Sequence, residues 1–184
     1  MNNTKKITYV FLQGRQQRIN SRKKISKEFF YTYFYAIKNY KNVEIVEMEN
    51  FEPNILQKFL RKIDSFINKL SKLPIYTYAI FKRKNLKIFK ESDFVILSND
   101  RVAFSSLPMI WLTKISNPDV SFSFFVMGLF SNFPRYQIQT LFRNILIKMM
   151  LKRVDKIFFL GKKEYIFASE NFIPYKQKFI FLPF

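Results

Sequence analysis

The chain has no histidine and no cysteine, and only three of its 184 residues are glycine. Without cysteine there are no disulfides, no thiol redox chemistry and no sulfur nucleophile. Without histidine there is no Ser/His/Asp triad, and every zinc or haem site that needs a His or Cys ligand is excluded. Acid–base and nucleophilic chemistry is left to carboxylates, Lys, Tyr and Ser. The scarcity of glycine removes two phosphate-binding loops. No G-x-G-x-x-G follows the first apolar run and no G-x-x-x-x-G-K-[ST] occurs, so nothing supports a dinucleotide-binding protein or a P-loop NTPase. Acidic residues are few as well, 13 Asp+Glu against 32 Lys+Arg, for a net charge of +19. Long apolar runs are missing. The uncharged stretch 120–134 falls short of the roughly 18–20 residues of a spanning helix and is broken by Ser and Asn. The run at 9–12 is too short for the core of a signal peptide. A cytoplasmic protein is expected.

Apolar residues make up 48% of the chain and aromatic residues 19%, enough for a sizeable core and against global disorder. The length suits a single domain over 1–184. Lys, Asn, Ile, Phe and Tyr are the enriched types, the set that A+T-rich codons specify. The basic excess therefore has two readings: compositional drift, or a surface that meets phosphate, nucleic acid or an acidic membrane face.

Apolar runs alternate with helical stretches. Strands are expected at 7–12, 43–48 (near a sheet edge), 94–97, 120–127, 156–160 and 179–182. Helices are expected at 26–40, 56–70, 102–115 with Pro108 marking a kink or a late start, 138–154 and 163–172, and the ambiguous stretch 75–90 is read as helix. The cleanest helical stripe is Ile138, Leu141, Phe142, Ile145, Leu146 and Met149. Uninterrupted apolar strands in β-α-β-α order point to an α/β fold: an open, mostly parallel Rossmann-like sheet with helices on both faces. Gly14, Gly128 and Gly161 all follow strand-like runs. In such a sheet ligands bind beyond the carboxyl ends of the strands. Glycine there serves either a ligand's close approach or simply a turn that needs positive φ.

Two turns at those ends and one helix present functional groups. The turn after the first strand carries Arg15, Arg18, Arg22, Lys23 and Lys24, which read either as an anion-binding loop leading into a helix N-terminus or as a solvated loop. Ser98-Asn99-Asp100 follows the strand at 94–97. Asp100 is either a carboxylate in the crevice or a helix N-cap. The helix at 138–154 carries Arg143 and Lys148 beside its stripe, and either lies on an anionic membrane or packs its stripe on the sheet with the cations in solvent.

Asp155-Lys156-Ile157-Phe158-Phe159-Leu160-Gly161, then a short helix, then Lys178-Phe179-Ile180-Phe181-Leu182-Pro183-Phe184 is similar to the end of the N-terminal lobe of family-4-type GT-B glycosyltransferases. There a D-x-h-h-h strand and a helix precede K-h-x-h-h-P-[FN]. Segments 5–14, 93–99 and 121–128 resemble that lobe's first, fourth and fifth strands in order and spacing. Two features depart from the family: a single Gly14 stands where relatives carry Gly-Gly, and no histidine follows a later strand, so no histidine role carries over. The resemblance implies the acceptor-side lobe of an enzyme that moves a sugar from a nucleotide-sugar to a glycan or lipid-linked acceptor, without metal or cofactor. The family's nucleotide-sugar lobe would follow residue 184, and the chain alone is expected to be inactive. On this reading Gly14, Arg15, Asn99, Asp100, Gly128 and Gly161 line the acceptor or interlobe cleft. Arg18, Arg22, Lys23, Lys24, Arg143 and Lys148 are candidates for anion or membrane contact, with the protein peripheral at the inner face of the membrane. The alternative is a non-catalytic basic α/β module that binds nucleic acid or an anionic membrane. Nucleic acid is disfavoured by the absence of a recognised binding motif.

Overall fold

A computed structural model describes residues 4–21, 30, 32–49, 54–131 and 134–183. These form six strands: β1 (Lys6–Leu12), β2 (Asn42–Met48), β3 (Phe94–Leu97), β4 (Ser121–Val126), β5 (Lys156–Phe159) and β6 (Phe179–Phe181). All pair in parallel in one sheet, in the order β2-β1-β3-β4-β5-β6. The register runs straight across the middle: Val10 opposite Leu97, Leu97 opposite Phe124, Phe124 opposite Ile157 and Ile157 opposite Phe179. The chain builds outward from β1 first to β2 and then to β3, which creates a topological switch between β1 and β3. The expected parallel α/β sheet is observed, with β2 at an edge.

The helices are α1 (Arg15–Asn20), α2 (Tyr33–Asn39), α3 (Ile55–Ser71), α4 (Arg83–Glu91), α5 (Asp100–Ser105), α6 (Leu107–Ser116), α7 (Gln137–Arg153) and α8 (Lys162–Asn171). Strand alternation divides the core between the two faces of the sheet. Ile7, Tyr9 and Phe11 point to one face, where Phe30 and the α2 residues Tyr33 and Ala36 pack on them as an aromatic cluster. Val10, Val95, Leu97, Phe124 and Phe159 point to the other, under α4 to α8, in the larger core.

Several expectations need correction. Residues 15–20 form a short helix, not a loop. Residues 75–90 are not one helix: a 3-10 turn (Thr77–Ala79) precedes α4. The helix expected at 102–115 is two, α5 and α6, divided at Ser106, with Pro108 in the first turn of α6, where its missing N–H leaves no bond unmade. Of the helix expected at 26–40, α2 accounts for the end, and residues 22–29 and 31 lie outside the described residues.

The largest correction concerns which way two helices face. Most of the apolar stripe of α7 faces away from the sheet; Phe142 and Leu146 are half-buried, and Leu146 packs on the larger core. Ile138 and Leu141 are 71% and 63% exposed, Ile145 and Met149 are exposed too, and the buried positions are Arg143, Ile147, Met150 and Leu151. Helix α3 turns a largely polar face inward, with Leu60, Ile67 and Leu70 half-buried and Ile67 packed on the larger core. Its buried residues are Gln57, Asp64 and Ser71, while Phe59 and Phe66 are 60% and 63% exposed. The polar residues turn inward because the loop after α3 presents backbone groups that need partners. Asp64 accepts from the N–H of Tyr78 (3.1 Å). Asn68 donates to the Ile75 carbonyl (2.7 Å) and accepts from the Ile75 N–H (2.8 Å). Ser71 accepts from the Leu73 N–H (3.2 Å). A capping box between Asn54 and Gln57 fixes the start of α3, and Lys72, at φ 56°, ends it.

Candidate functional site

Because the strands are parallel, the residues after β1, β3, β4 and β5 all lie at one end of the sheet, as the glycine pattern implies. Gly14 (φ 87°) and Gly128 (φ 105°) occupy the left-handed region that side chains avoid. Gly161 is extended and caps α8. A Cβ there would stand 3.4 Å from Glu164 Oε2.

The turns at this end are filled by the chain's own carboxylates. Glu47, at the end of β2, accepts from the N–H groups of Gly14 (3.2 Å) and Gln16 (2.5 Å). Glu164, in the first turn of α8, accepts from Gly128 (3.1 Å) and Phe130 (2.8 Å). Asp100 accepts from Met127 (3.3 and 3.2 Å to its two oxygens). Backbone N–H groups clustered at a turn attract anions, and here internal carboxylates meet that demand. The amides after β1 are therefore not a vacant phosphate cradle. Arg15 lies with its guanidinium 5.7 Å from the centre of the Phe30 ring, and Arg18 is exposed. Arg22, Lys23 and Lys24 lie outside the described residues.

Two cavities open along the same rim. One, of about 410 Å³ beyond β3 and β4, is lined by Tyr76, Asp100, Gly128 and Arg143, with Lys72 and Pro74 among the other contributors. The other, of about 440 Å³ at the switch between β1 and β3, is lined by Gln13, Gln17, Tyr76, Tyr78 and Arg101. Tyr76 belongs to both, and Arg101 lies over its ring at 4.0 Å, a cation–π contact.

Asp100 is the unusual group. Asn99, not Asp100, caps α5, accepting from the Val102 N–H (2.9 Å). That frees the Asp100 carboxyl to face the cavity from the first turn of α5. Burial pushes its pKa up to about 7; the Met127 N–H opposes this, the Glu164 charge reinforces it and Arg143 opposes it. Arg143 is itself buried, donating to the carbonyls of Lys72 (3.4 Å) and Leu129. Burial lowers its pKa and the Asp100 charge raises it. Expected on the outer face of its helix, it lies inward on the cavity wall, whereas Lys148 is exposed.

The structure thus brings Asp100, Gly128 and Arg143 to one cavity. Gly14 and Arg15 stand beside the other, next to its lining residue Gln13, and Gly161 joins the group only through Glu164. Asn99 has a structural part. Sequence reasoning missed Tyr76, Tyr78 and Arg101. Tyr76 and Tyr78 were hidden inside the supposed helix at 75–90; the Pro74 that opens their segment was the available signal. A carboxyl that titrates near neutrality can accept or donate a proton there. The two tyrosine rings offer flat surfaces with a polar tip, and Arg101 and Arg143 bring positive charge. Among the described residues, no group of three or more carboxylates could hold a metal ion. The chain matches no known protein family and no curated protein.

Proposed function

We propose that this chain is the acceptor-binding lobe of a two-lobe GT-B glycosyltransferase, acting on a glycan or lipid-linked acceptor. The observation that carries the reading is the Asp100 cavity at the carboxyl ends of β3 and β4. It combines a buried carboxyl of near-neutral pKa, an arginine, a glycine turn and a tyrosine face at the place where open parallel sheets bind ligands. In the proposed reaction an acceptor hydroxyl oxygen attacks the anomeric carbon, the bond from that carbon to the nucleotide diphosphate breaks, and the hydroxyl proton passes towards Asp100. Tyr76, which lines this cavity, holds the apolar face of the acceptor sugar. The nucleotide-sugar would be held by a second lobe, and basic groups and helix N-termini there would stabilise the departing diphosphate.

The nucleic-acid reading has weaker support. Phe59, Phe66 and Tyr136 are exposed aromatic rings of the kind that single strands stack on, but the sequence carries no recognised nucleic-acid-binding motif.

Calorimetric titration of the purified chain with nucleotide-sugars and with a panel of oligosaccharide and glycolipid acceptors tests the proposal, alongside a coupled transfer assay. The expected result is no turnover, no tight nucleotide-sugar binding, and acceptor binding that weakens about tenfold in Tyr76→Ala. Robust turnover, or tight binding of a sugar nucleotide by this chain alone, would overturn it.

A further inference from the structure

We infer that the outward faces of α3 and α7 form a docking surface for an anionic lipid bilayer. The transferase reading also expects a peripheral membrane contact, but this surface is inferred from the exposed faces of the two helices and is tested without any transfer assay. The first observation is the orientation of α3. A strongly amphipathic helix ordinarily buries its apolar stripe. This one turns Asp64, Asn68 and Ser71 onto the backbone of the following loop and leaves Leu56, Phe59, Ile63 and Phe66 exposed. The inward bonds make that orientation a specified feature of the fold. The second observation is that α7 lies alongside and, although it buries Ile147, Met150 and Leu151, also leaves Ile138, Leu141, Ile145 and Met149 exposed. The neighbours are tied together by Gln139 donating to the Lys69 carbonyl (3.3 Å) and Arg143 to the Lys72 carbonyl.

Charge decides the occupant. Asp64 is the only acidic residue in α3 and is buried, and α7 has none. On the helical wheel of α3, Lys58, Lys62 and Lys69 border the apolar stripe on the side away from the core. Lys148 borders that of α7, Lys152 continues it at the carboxyl end of the helix, and all five are exposed. An apolar stripe edged only by cations matches the interface of an anionic membrane, where side chains enter the acyl boundary and ammonium groups remain among the headgroups. A second copy of the chain would set cations against cations. No helix among the described residues is long and apolar enough to cross a membrane, so the contact is a surface one.

The test is cosedimentation of the chain with vesicles of equal parts phosphatidylglycerol and phosphatidylcholine, and with pure phosphatidylcholine vesicles. Binding is expected to the anionic vesicles and to be much weaker to the neutral ones. The triple variant Phe59→Ser, Phe66→Ser, Leu141→Ser leaves the charge at its original value and should weaken that binding by about tenfold or more. Ile173→Ser, at an exposed apolar residue elsewhere, should leave it unchanged. Since the chain has no cysteine, Phe66→Cys and Ile173→Cys each accept a single environment-sensitive dye. A blue shift with vesicles is expected for the first and not the second. Three results would overturn the inference: no binding to anionic vesicles, equal binding by the charge-neutral triple variant, or equal dye responses at both positions. It also fails if the triple variant abolishes self-association or RNA binding while vesicle binding persists.

Discussion

Asp100 shows how one side chain takes its chemistry from its surroundings. At the first position after the cap of an exposed helix it would be an ordinary carboxylate favoured by the helix dipole. Here burial, and Glu164 reaching across from α8, raise its pKa to about 7. The consequence for stability has a definite sign. Between the unfolded pKa of 3.8 and about 7 the folded state binds more protons than the unfolded one, so stability falls as pH rises through that window and levels off above it. Across the whole window the loss is on the order of 4 kcal/mol. Asp100→Asn keeps an acceptor for the Met127 N–H and cannot ionise. Its stability should fall less from pH 4 to 8, and it should exceed the wild type at pH 8. Urea titrations at several pH values measure this. Asp64 also has a raised pKa through burial, but it is common to both proteins, so the difference isolates Asp100. Parallel curves would show that the Asp100 carboxyl is not kept neutral by its site.

At the scale of elements, α3 turns a largely polar face inward. Its stability should depend on its polar face. Removing the Asp64 carboxyl strands the Tyr78 N–H in a buried place, and leaving a buried donor unpaired costs about 1–3 kcal/mol. Asp64→Ala is therefore expected to destabilise by that amount. Phe66→Ser, on the exposed face, should change stability by less than about 0.5 kcal/mol. Chemical denaturation of the two variants is the check. The opposite ranking would mean that the apolar stripe of α3 is its buried face.

At the scale of the molecule, a charge of +19 on 184 residues opposes compaction. The ion pairs that offset it are mostly at the surface: Lys5–Asp93, Lys6 with Glu44 and Glu91, and Lys87–Glu91. Such pairs contribute little and are screened along with the repulsion. With the Debye length shrinking from about 30 Å at 0.01 M salt to about 8 Å at 0.15 M, relief of repulsion should dominate. The melting temperature is expected to rise by several degrees over that range in differential scanning fluorimetry. With no histidine present, Asp100 is the one described group placed near neutrality, so a fixed pH keeps the net charge almost constant as salt is varied. A fall in melting temperature with salt would show that the ion pairs outweigh the repulsion.

The sequence by itself determined the strands, their parallel pairing and the end of the sheet that carries the turns. Short apolar runs such as that of β1, buried at every position from Ile7 to Phe11, are satisfied where both faces are covered, and Gly14 and Gly128 mark the turns because only glycine adopts their positive φ at little cost. It also determined which chemistries are excluded, since a missing side chain is missing in any fold. Tertiary structure alone decided which way α3 and α7 face and which carboxyl is unusual. Periodicity records which residues share a side of a helix. It does not record that the backbone N–H groups of Leu73, Ile75 and Tyr78 would need Ser71, Asn68 and Asp64 as partners and so turn the polar side of α3 inward. Likewise the pKa of Asp100 depends on burial and on Glu164 and Arg143, residues distant in sequence that meet it only when β3, β4 and β5 lie side by side.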